Sequence, residues 1–108
     1  MKIIKIFIYY FKICYNIKNE PGWTVKRPYP NAAGPYAYNG NLWVGYDDEN
    51  TARMKANYIL ANNLGGAIVW AINLDDFRGV CGGPKYPVTE AIRNELYVHF
   101  TRPFYNIL

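Results

Sequence analysis

One run of seven residues constrains the fold of this chain more than any other feature. Residues 66–72 read Gly-Ala-Ile-Val-Trp-Ala-Ile and are apolar or glycine at every position. A strand that is apolar on both faces is typical of the interior of a parallel sheet covered by helices. The run therefore predicts a central strand of an α/β fold, hydrogen-bonded to a neighbour on each edge.

The segments around this run predict a hairpin and two helices. Asn39-Gly40-Asn41 is a turn signal between strands at 36–38 and 42–44. Asp47-Asp48-Glu49 precedes apolar residues at helical spacing, which predicts a helix with an Asp N-cap that ends near a left-handed Gly65. Pro87 opens a last helix, expected to run to Leu96. Strand, helix, strand, loop and helix form a βαβα unit, and two parallel strands cannot be a whole sheet.

The N-terminal third is less regular. Ile3 to Ile13 is rich in Ile, Tyr and Phe, which favours an extended strand. Trp23 to Val25 is a second short strand candidate, and the Pro- and Gly-rich residues 28–40 predict irregular chain. We do not expect the apolar stretch near the start to be an export signal, because Lys5 and Lys12 interrupt it and no small-residue cleavage site follows.

Composition and charge exclude two classes of protein. With 51% hydrophobic and 19% charged residues, the chain is predicted to have a packed interior rather than to be disordered. The net charge of +4 comes from residues 1–27, which hold six Lys or Arg and one acid, whereas residues 28–108 hold six basic residues and seven acids. No basic stripe of the kind that nucleic acids require is therefore present, and we expect no nucleic-acid partner.

The cysteine and histidine content gives no metal or cofactor site. Cys14 and Cys81 are too far apart in sequence for a CxxC redox motif or a zinc site. The residues alone leave two alternatives, a long-range disulfide or two buried thiols. His99 stands alone and is expected to be a surface residue rather than a ligand or base. No cofactor and no metal are predicted.

Three segments together carry a resemblance to a known family. Residues 64–77, 34–48 and 86–96 are similar to the eighth strand, the seventh strand with its lead-in, and the closing helix of family 18 glycoside hydrolases, the chitinases and chitinase-like lectins. Residues 10–14 and 22–25 resemble the end of the α+β insertion of animal members. The resemblance divides the chain into an unassigned extension (1–8), the end of the insertion (9–33), two βα units (34–96) and an unassigned tail (97–108).

The resemblance implies an α/β fold, the C-terminal fragment of a (β/α)8 TIM barrel, with strands 7 and 8, their helices and the end of the insertion. Family members cleave β-1,4-linked N-acetylglucosamine polymers by substrate-assisted retention, with the acid on a DxxDxDxE-type motif of strand four. That motif does not occur in this sequence. No catalytic residue is therefore predicted in this chain, and Asp47-Asp48-Glu49 is interpreted as a helix cap.

Trp70 is the residue to which the resemblance assigns a function. It matches the strand-eight Trp that forms the floor under the sugar at the cleavage point, and an indole face suits the C–H face of a pyranose. The alternative is that Trp70 is a core residue. Two positions depart from the family pattern: Lys12 stands where many members have Glu, and Asn73 replaces a common Asp. Most of the aromatic residues around the seventh strand are expected to pack the insertion against the barrel, with one or two of them lining the outer cleft: Trp23, Tyr36, Tyr38, Trp43 and Tyr46.

The same resemblance implies a disulfide between Cys14 and Cys81, and with it an oxidising compartment and an extracellular parent protein. We expect a fragment of a chitinase-family protein that acts on or binds chitin or N-acetylglucosamine oligomers and is inactive alone; a sugar-binding lectin remnant is the alternative. A membrane-associated peptide is a third and weaker hypothesis, and no membrane partner is expected. The oligomeric state is not predicted, but the apolar strand 66–72 would leave an open edge, which favours association or poor solubility.

Overall fold

The computed structural model describes the backbone of residues 10–107 and the side chains of residues 10–97. A first helix is followed by a three-stranded sheet, a second helix, an extended run that ends in a 3-10 turn, and a third helix. Their bounds are α1 Tyr10–Asn19, β1 Thr24–Lys26, β2 Tyr36–Asn39, β3 Leu42–Gly45, α2 Glu49–Ala61, the 3-10 turn Ile72–Leu74, and α3 Pro87–Ile107.

Helix α1 replaces the C-terminal part of the strand predicted from Ile3 to Ile13. Residues 3–9 lie outside the described residues, and residues 10–13 are helical, so the prediction is wrong there. Tyr10, Ile13, Cys14 and Ile17 follow helical spacing and are buried or partly buried, whereas Lys12 and Tyr15 are exposed. Packing of one amphipathic face thus overrides the β-propensity of Ile, Tyr and Phe.

The hairpin at residues 36–45 is confirmed. β2 pairs antiparallel with β3, with Tyr38 opposite Trp43 and Asn39 opposite Leu42. Gly40 has φ +60, a left-handed conformation that a residue with a side chain adopts at a cost, which explains the glycine at the turn. β1 pairs with the other edge of β2 and begins one residue later than predicted.

Helix α2 begins as the sequence predicts. Asp48 is the N-cap, and its Oδ1 accepts hydrogen bonds from the backbone N–H of Thr51 at 3.0 Å and from the Thr51 hydroxyl at 3.1 Å. Its end differs from the prediction, because the left-handed residue after the helix is Asn63, with φ 53, and not Gly65. Asn is the non-glycine residue that most readily adopts this conformation.

The core lies between α2 and α3. Ala52, Val88, Ala91 and Ile92 form a buried cluster, and Tyr10, Val69, Leu74 and Leu96 pack against it. Ala52 and Ala56 are fully buried, and such small side chains let helices approach closely. Helix α3 starts at Pro87 as predicted but continues to Ile107, so it includes most of the tail that the sequence left unassigned.

The run 66–72 does not form the predicted strand. Residues 66–71 form neither a helix nor a paired strand, and Ile72 belongs to the 3-10 turn. Within residues 10–107 the sheet is antiparallel throughout, so the expected parallel pair with β3 is absent. An apolar run becomes a strand of a sheet only when partners pair with its edges, and residues 10–107 bring none of them next to it. Among the described residues, no helix has the length and apolarity needed to cross a bilayer.

Candidate functional site

Trp70 lies in the unpaired run with its side chain largely in solvent. Its exposed fraction is 71%, that of Ile68 is 87%, and Val69 between them packs on the core cluster. This alternation is what extended backbone produces, because successive side chains point to opposite sides. The peptide bond between Trp70 and Ala71 is cis. Within this chain Trp70 is not a core residue, and its indole is open to a ligand.

The turn after the run is organised by two buried carboxylates, Asp75 and Asp76, both fully shielded from solvent. Asp76 accepts hydrogen bonds from the backbone N–H groups of Val80 and Cys81, each at 2.9 Å. Asp75 accepts one from Thr89 N–H at 2.8 Å and one from Val88 N–H at 3.4 Å, and so caps α3. The sequence analysis does not single out this pair. The signal that could have found it is two consecutive acids before a Gly-rich turn and a Pro that opens a helix.

Cys14 and Cys81 are joined by a disulfide, with their Cα atoms 5.6 Å apart. The bond connects α1 to the turn that Asp76 organises, and the Phe11 and Phe77 rings meet edge to face beside it at 5.9 Å. The two sulfurs and an Asp76 oxygen lie within 4.8 Å of one another. Since the sulfurs bond to each other and Asp76 binds backbone N–H groups, this cluster provides no thiolate for a metal.

A cavity of about 900 Å³ opens between the second helix and the start of the unpaired run. Its walls are mainly apolar, with Ala52, Ala56 and Ile59 from α2 and Ala67 and Ile68 from the run. Asp47 and Lys55 are among its polar lining residues, and the Lys55 ammonium donates to Asp47 at 2.8 Å. Burial raises the pKa of Asp47, while the hydrogen bond and charge of Lys55 oppose that rise.

The acids at the start of α2 all have partners, as their interpretation as a cap requires. Asp48 caps the helix and forms an ion pair with Arg27. Glu49 pairs with Arg53 at 3.3 Å, one helical turn later. Asp47 forms an ion pair with Lys55, which favours the charged form against the effect of burial on its pKa. None of the three is placed as a free proton donor.

Tyr10 is the titratable group with the largest resolved pKa shift among the described residues. Burial, followed by the negative charges of Glu49 and Asp75, raises the pKa of Tyr10 from 10.0 to about 12. Burial also raises the pKa of Tyr46, against the opposing charge of Arg27. Both phenols therefore stay protonated at neutral pH and serve as packing groups rather than bases.

The remaining sequence candidates are distributed over separate surfaces. Lys12 and Asn73 are exposed. Trp23 is partly buried, and its Nε1–H donates to Glu20 at 3.1 Å. Tyr36, Tyr38 and Trp43 form an aromatic group on the sheet. The ring centroid of Tyr36 lies 5.7 Å from that of Trp43 and 6.4 Å from that of Tyr38.

Comparison with known proteins relates this chain to one family. The chain is 43% identical over 90 residues to "Probable chitinase 10" of Drosophila melanogaster, covering 83% of the chain and 4% of that protein. It superposes on catalytic domain 2 of the Group II chitinase of Ostrinia furnacalis with a TM-score of 0.78 at 40% identity, covering 83% of the chain and 24% of that domain. Human YKL-39, described as a pseudo-chitinase with retained chitooligosaccharide binding, gives 0.73 at 38% identity, covering 82% of the chain and 24% of YKL-39.

The family model described as "Glycosyl hydrolases family 18" matches residues 5–75. That match spans more than half of the chain and includes β1 to β3, α2 and the run that contains Trp70. The chain spans only a small part of each relative, 4% of the fruit-fly protein and about a quarter, 24%, of each solved chain. On the family match and the identities together, this chain belongs to glycosyl hydrolase family 18.

Proposed function

We propose that this chain is the closing part of a family 18 barrel domain and that Trp70 binds a sugar of a chitin oligomer. The observation that carries the proposal is the exposed indole of Trp70, 71% accessible, inside a segment that the family model matches. Val69 anchors the backbone on the core directly before it. An indole supported in this way offers a flat apolar face to a pyranose, and its N–H can donate to a sugar oxygen.

The acids at the start of α2 and directly after the run support binding without hydrolysis by this chain alone. Glycoside cleavage requires a carboxylic acid that is free to protonate the glycosidic oxygen. Here Asp75 and Asp76 accept backbone hydrogen bonds, and Asp47, Asp48 and Glu49 form ion pairs. A complete domain would have to supply the acid from the part of the family fold that this chain does not span.

A sugar-binding role without hydrolysis has a precedent among the relatives. YKL-39 is described as a pseudo-chitinase that retains chitooligosaccharide binding. The disulfide between Cys14 and Cys81 supports an oxidising, extracellular location for the parent protein. The binding proposal holds whether the parent is a chitinase or a lectin, because it depends on Trp70 and not on the acid.

The test is a titration of the purified chain with the pentamer of N-acetylglucosamine, followed by tryptophan fluorescence and by release of product. We expect saturable binding, loss of that binding in Trp70→Ala, partial retention in Trp70→Phe, and no product above a protein-free blank. Trp23→Phe is the matched control, because its indole contacts Glu20. Binding that survives Trp70→Ala unchanged would overturn the assignment of Trp70, and turnover would overturn the proposed inactivity.

A further inference from the structure

The three-stranded sheet carries an aromatic surface that neither the core nor the Trp70 site uses. Side chains alternate between the faces of a strand, so Tyr36 and Tyr38 lie on one face of β2. The register places Trp43 opposite Tyr38 and Gly45 opposite Tyr36. Tyr36, Tyr38 and Trp43 therefore share one face, which we call the aromatic shelf.

Gly45 makes room for the largest of the three rings. A methyl group at this position would lie 3.2 Å from the Trp43 indole, closer than an ordinary van der Waals contact. Without a side chain at Gly45, the indole lies over the β3 backbone and beside Tyr36. The register and the glycine together determine where Trp43 lies.

The rings of the shelf are nearly parallel and remain accessible. Tyr36 makes an interplanar angle of 27° with both Tyr38 and Trp43, at centroid distances of 6.4 and 5.7 Å. Offset rings at such distances leave part of each face uncovered. Trp43 is 67% exposed and Tyr38 is 37% exposed. The result is a continuous aromatic surface that is longer than a single ring.

The opposite face of the sheet shows which side faces inward. Ala37, between Tyr36 and Tyr38, is fully buried. Tyr46 N–H, directly after β3, donates to Pro35 O, directly before β2, at 3.1 Å and so extends the hairpin. Asn39 Nδ2 donates to Pro21 O at 3.1 Å and ties the hairpin turn to the chain before β1. The shelf is thus the outward face of the sheet.

We propose that the aromatic shelf is a second saccharide-binding surface, specific for a neutral β-linked N-acetylglucosamine chain. Side-chain alternation puts Thr24 and Lys26 on the same face, opposite Tyr38 and Tyr36. They supply hydrogen-bond donors to hydroxyl and acetamide oxygens, and the strand positions of this face include no acid. One lysine beside three rings favours a neutral sugar over a nucleic acid, which requires several phosphate contacts. The choice of sugar rests on the proposed function.

The three tryptophans allow both sugar sites to be followed in one experiment. The chain is labelled with 5-fluorotryptophan, and its three ¹⁹F resonances are assigned with Trp23→Phe, Trp43→Phe and Trp70→Phe variants. Titration with the N-acetylglucosamine pentamer should shift the Trp43 resonance saturably and leave that of Trp23 in place. Trp43→Ala should leave the sugar-induced shift of the Trp70 resonance unchanged. Tyr38→Ala should raise the Kd measured from the Trp43 resonance about tenfold.

The outcomes separate this proposal from the previous one. A shift of Trp70 with no shift of Trp43 overturns the shelf and leaves the proposed function intact. A shift of Trp43 alone supports the shelf and removes the role of Trp70. A Trp43 resonance that moves with protein concentration in the absence of sugar identifies a second copy of the chain as the occupant and overturns the proposal. Far-UV circular dichroism of each variant checks that the fold is retained.

Discussion

The sheet (β1 to β3) and residues 66–72 are two regions with β-forming side chains, yet only the first region is paired. In the first region a left-handed Gly40 turns β2 directly onto β3, and residues 27–35 lead from β1 back to the other edge of β2. The second region has no strand close in sequence, and its Ile68 and Trp70 side chains are 87% and 71% exposed. Local pairing needs only turn chemistry, whereas a central parallel strand needs neighbours that are distant along the chain.

The largest expected effect concerns the covalent link beyond the unpaired run. Replacing both Cys14 and Cys81 by Ser should lower the free energy of unfolding by about 4 kcal/mol, because the disulfide closes a long loop in the unfolded chain. The two residues are 67 positions apart. Thermal or denaturant unfolding of the double variant measures the loss, and a reductant added to the parent chain should reproduce it. Equal stability with and without reductant would contradict the prediction.

The next prediction concerns self-association of the chain through the exposed side chains of residues 66–72. We expect Ile68→Lys to weaken self-association about tenfold or more, because an Ile buried in a contact contributes about 1.5–3 kcal/mol and each 1.4 kcal/mol is a factor of ten. Ile68 is 87% exposed, so unfolding of the monomer should change little. Sedimentation across a concentration series measures the association. Asn57→Lys, exposed on α2, adds the same charge elsewhere and should not weaken association.

A smaller effect is expected in the paired region. Gly40→Ala should destabilise the chain by about 1 kcal/mol, because a residue with a side chain is disfavoured in the left-handed conformation. A Cβ at Gly40 meets no atom within 4 Å, so the cost is purely conformational. Gly65→Ala is the control, since Gly65 is equally uncrowded and has no positive φ. Chemical denaturation measures the free energy of unfolding of both variants. An equal decrease in the two would show that the turn does not determine the strand pairing.

The effect that is smallest at neutral pH appears only in alkali and concerns Tyr10, which packs on the same core cluster as Val69. The unfolded chain loses the phenol proton near its ordinary pKa of 10.0, whereas the folded chain keeps it to about 12. The unfolded state therefore binds fewer protons in that window, and stability falls as pH rises through it. Tyr10→Phe should make the fall shallower in denaturant titrations between pH 9 and about 12. Tyr58→Phe, 64% exposed, is the control.

Several features followed from sequence because their causes are local. Asn39-Gly40 specifies the hairpin, Asp48 the start of α2, and Pro87 the start of α3. The pairing of Cys14 with Cys81, which the structure contains, was implied by the family resemblance. The sugar-binding role of Trp70 comes from the same resemblance and stays a proposal. The hairpin and the two helix starts each depend on a residue type at a fixed local spacing, which a sequence displays directly.

Other features were decided only by the tertiary structure, because they depend on contacts between distant segments. Tyr10 to Ile13 is helical since one face of α1 meets the core, against the propensity of its residues. Asp75 and Asp76 become fully buried hydrogen-bond acceptors only where the turn folds over them. The run 66–72 shows the same dependence in reverse: its sequence specifies a buried strand, but burial requires neighbours on both edges, and the described chain places none there.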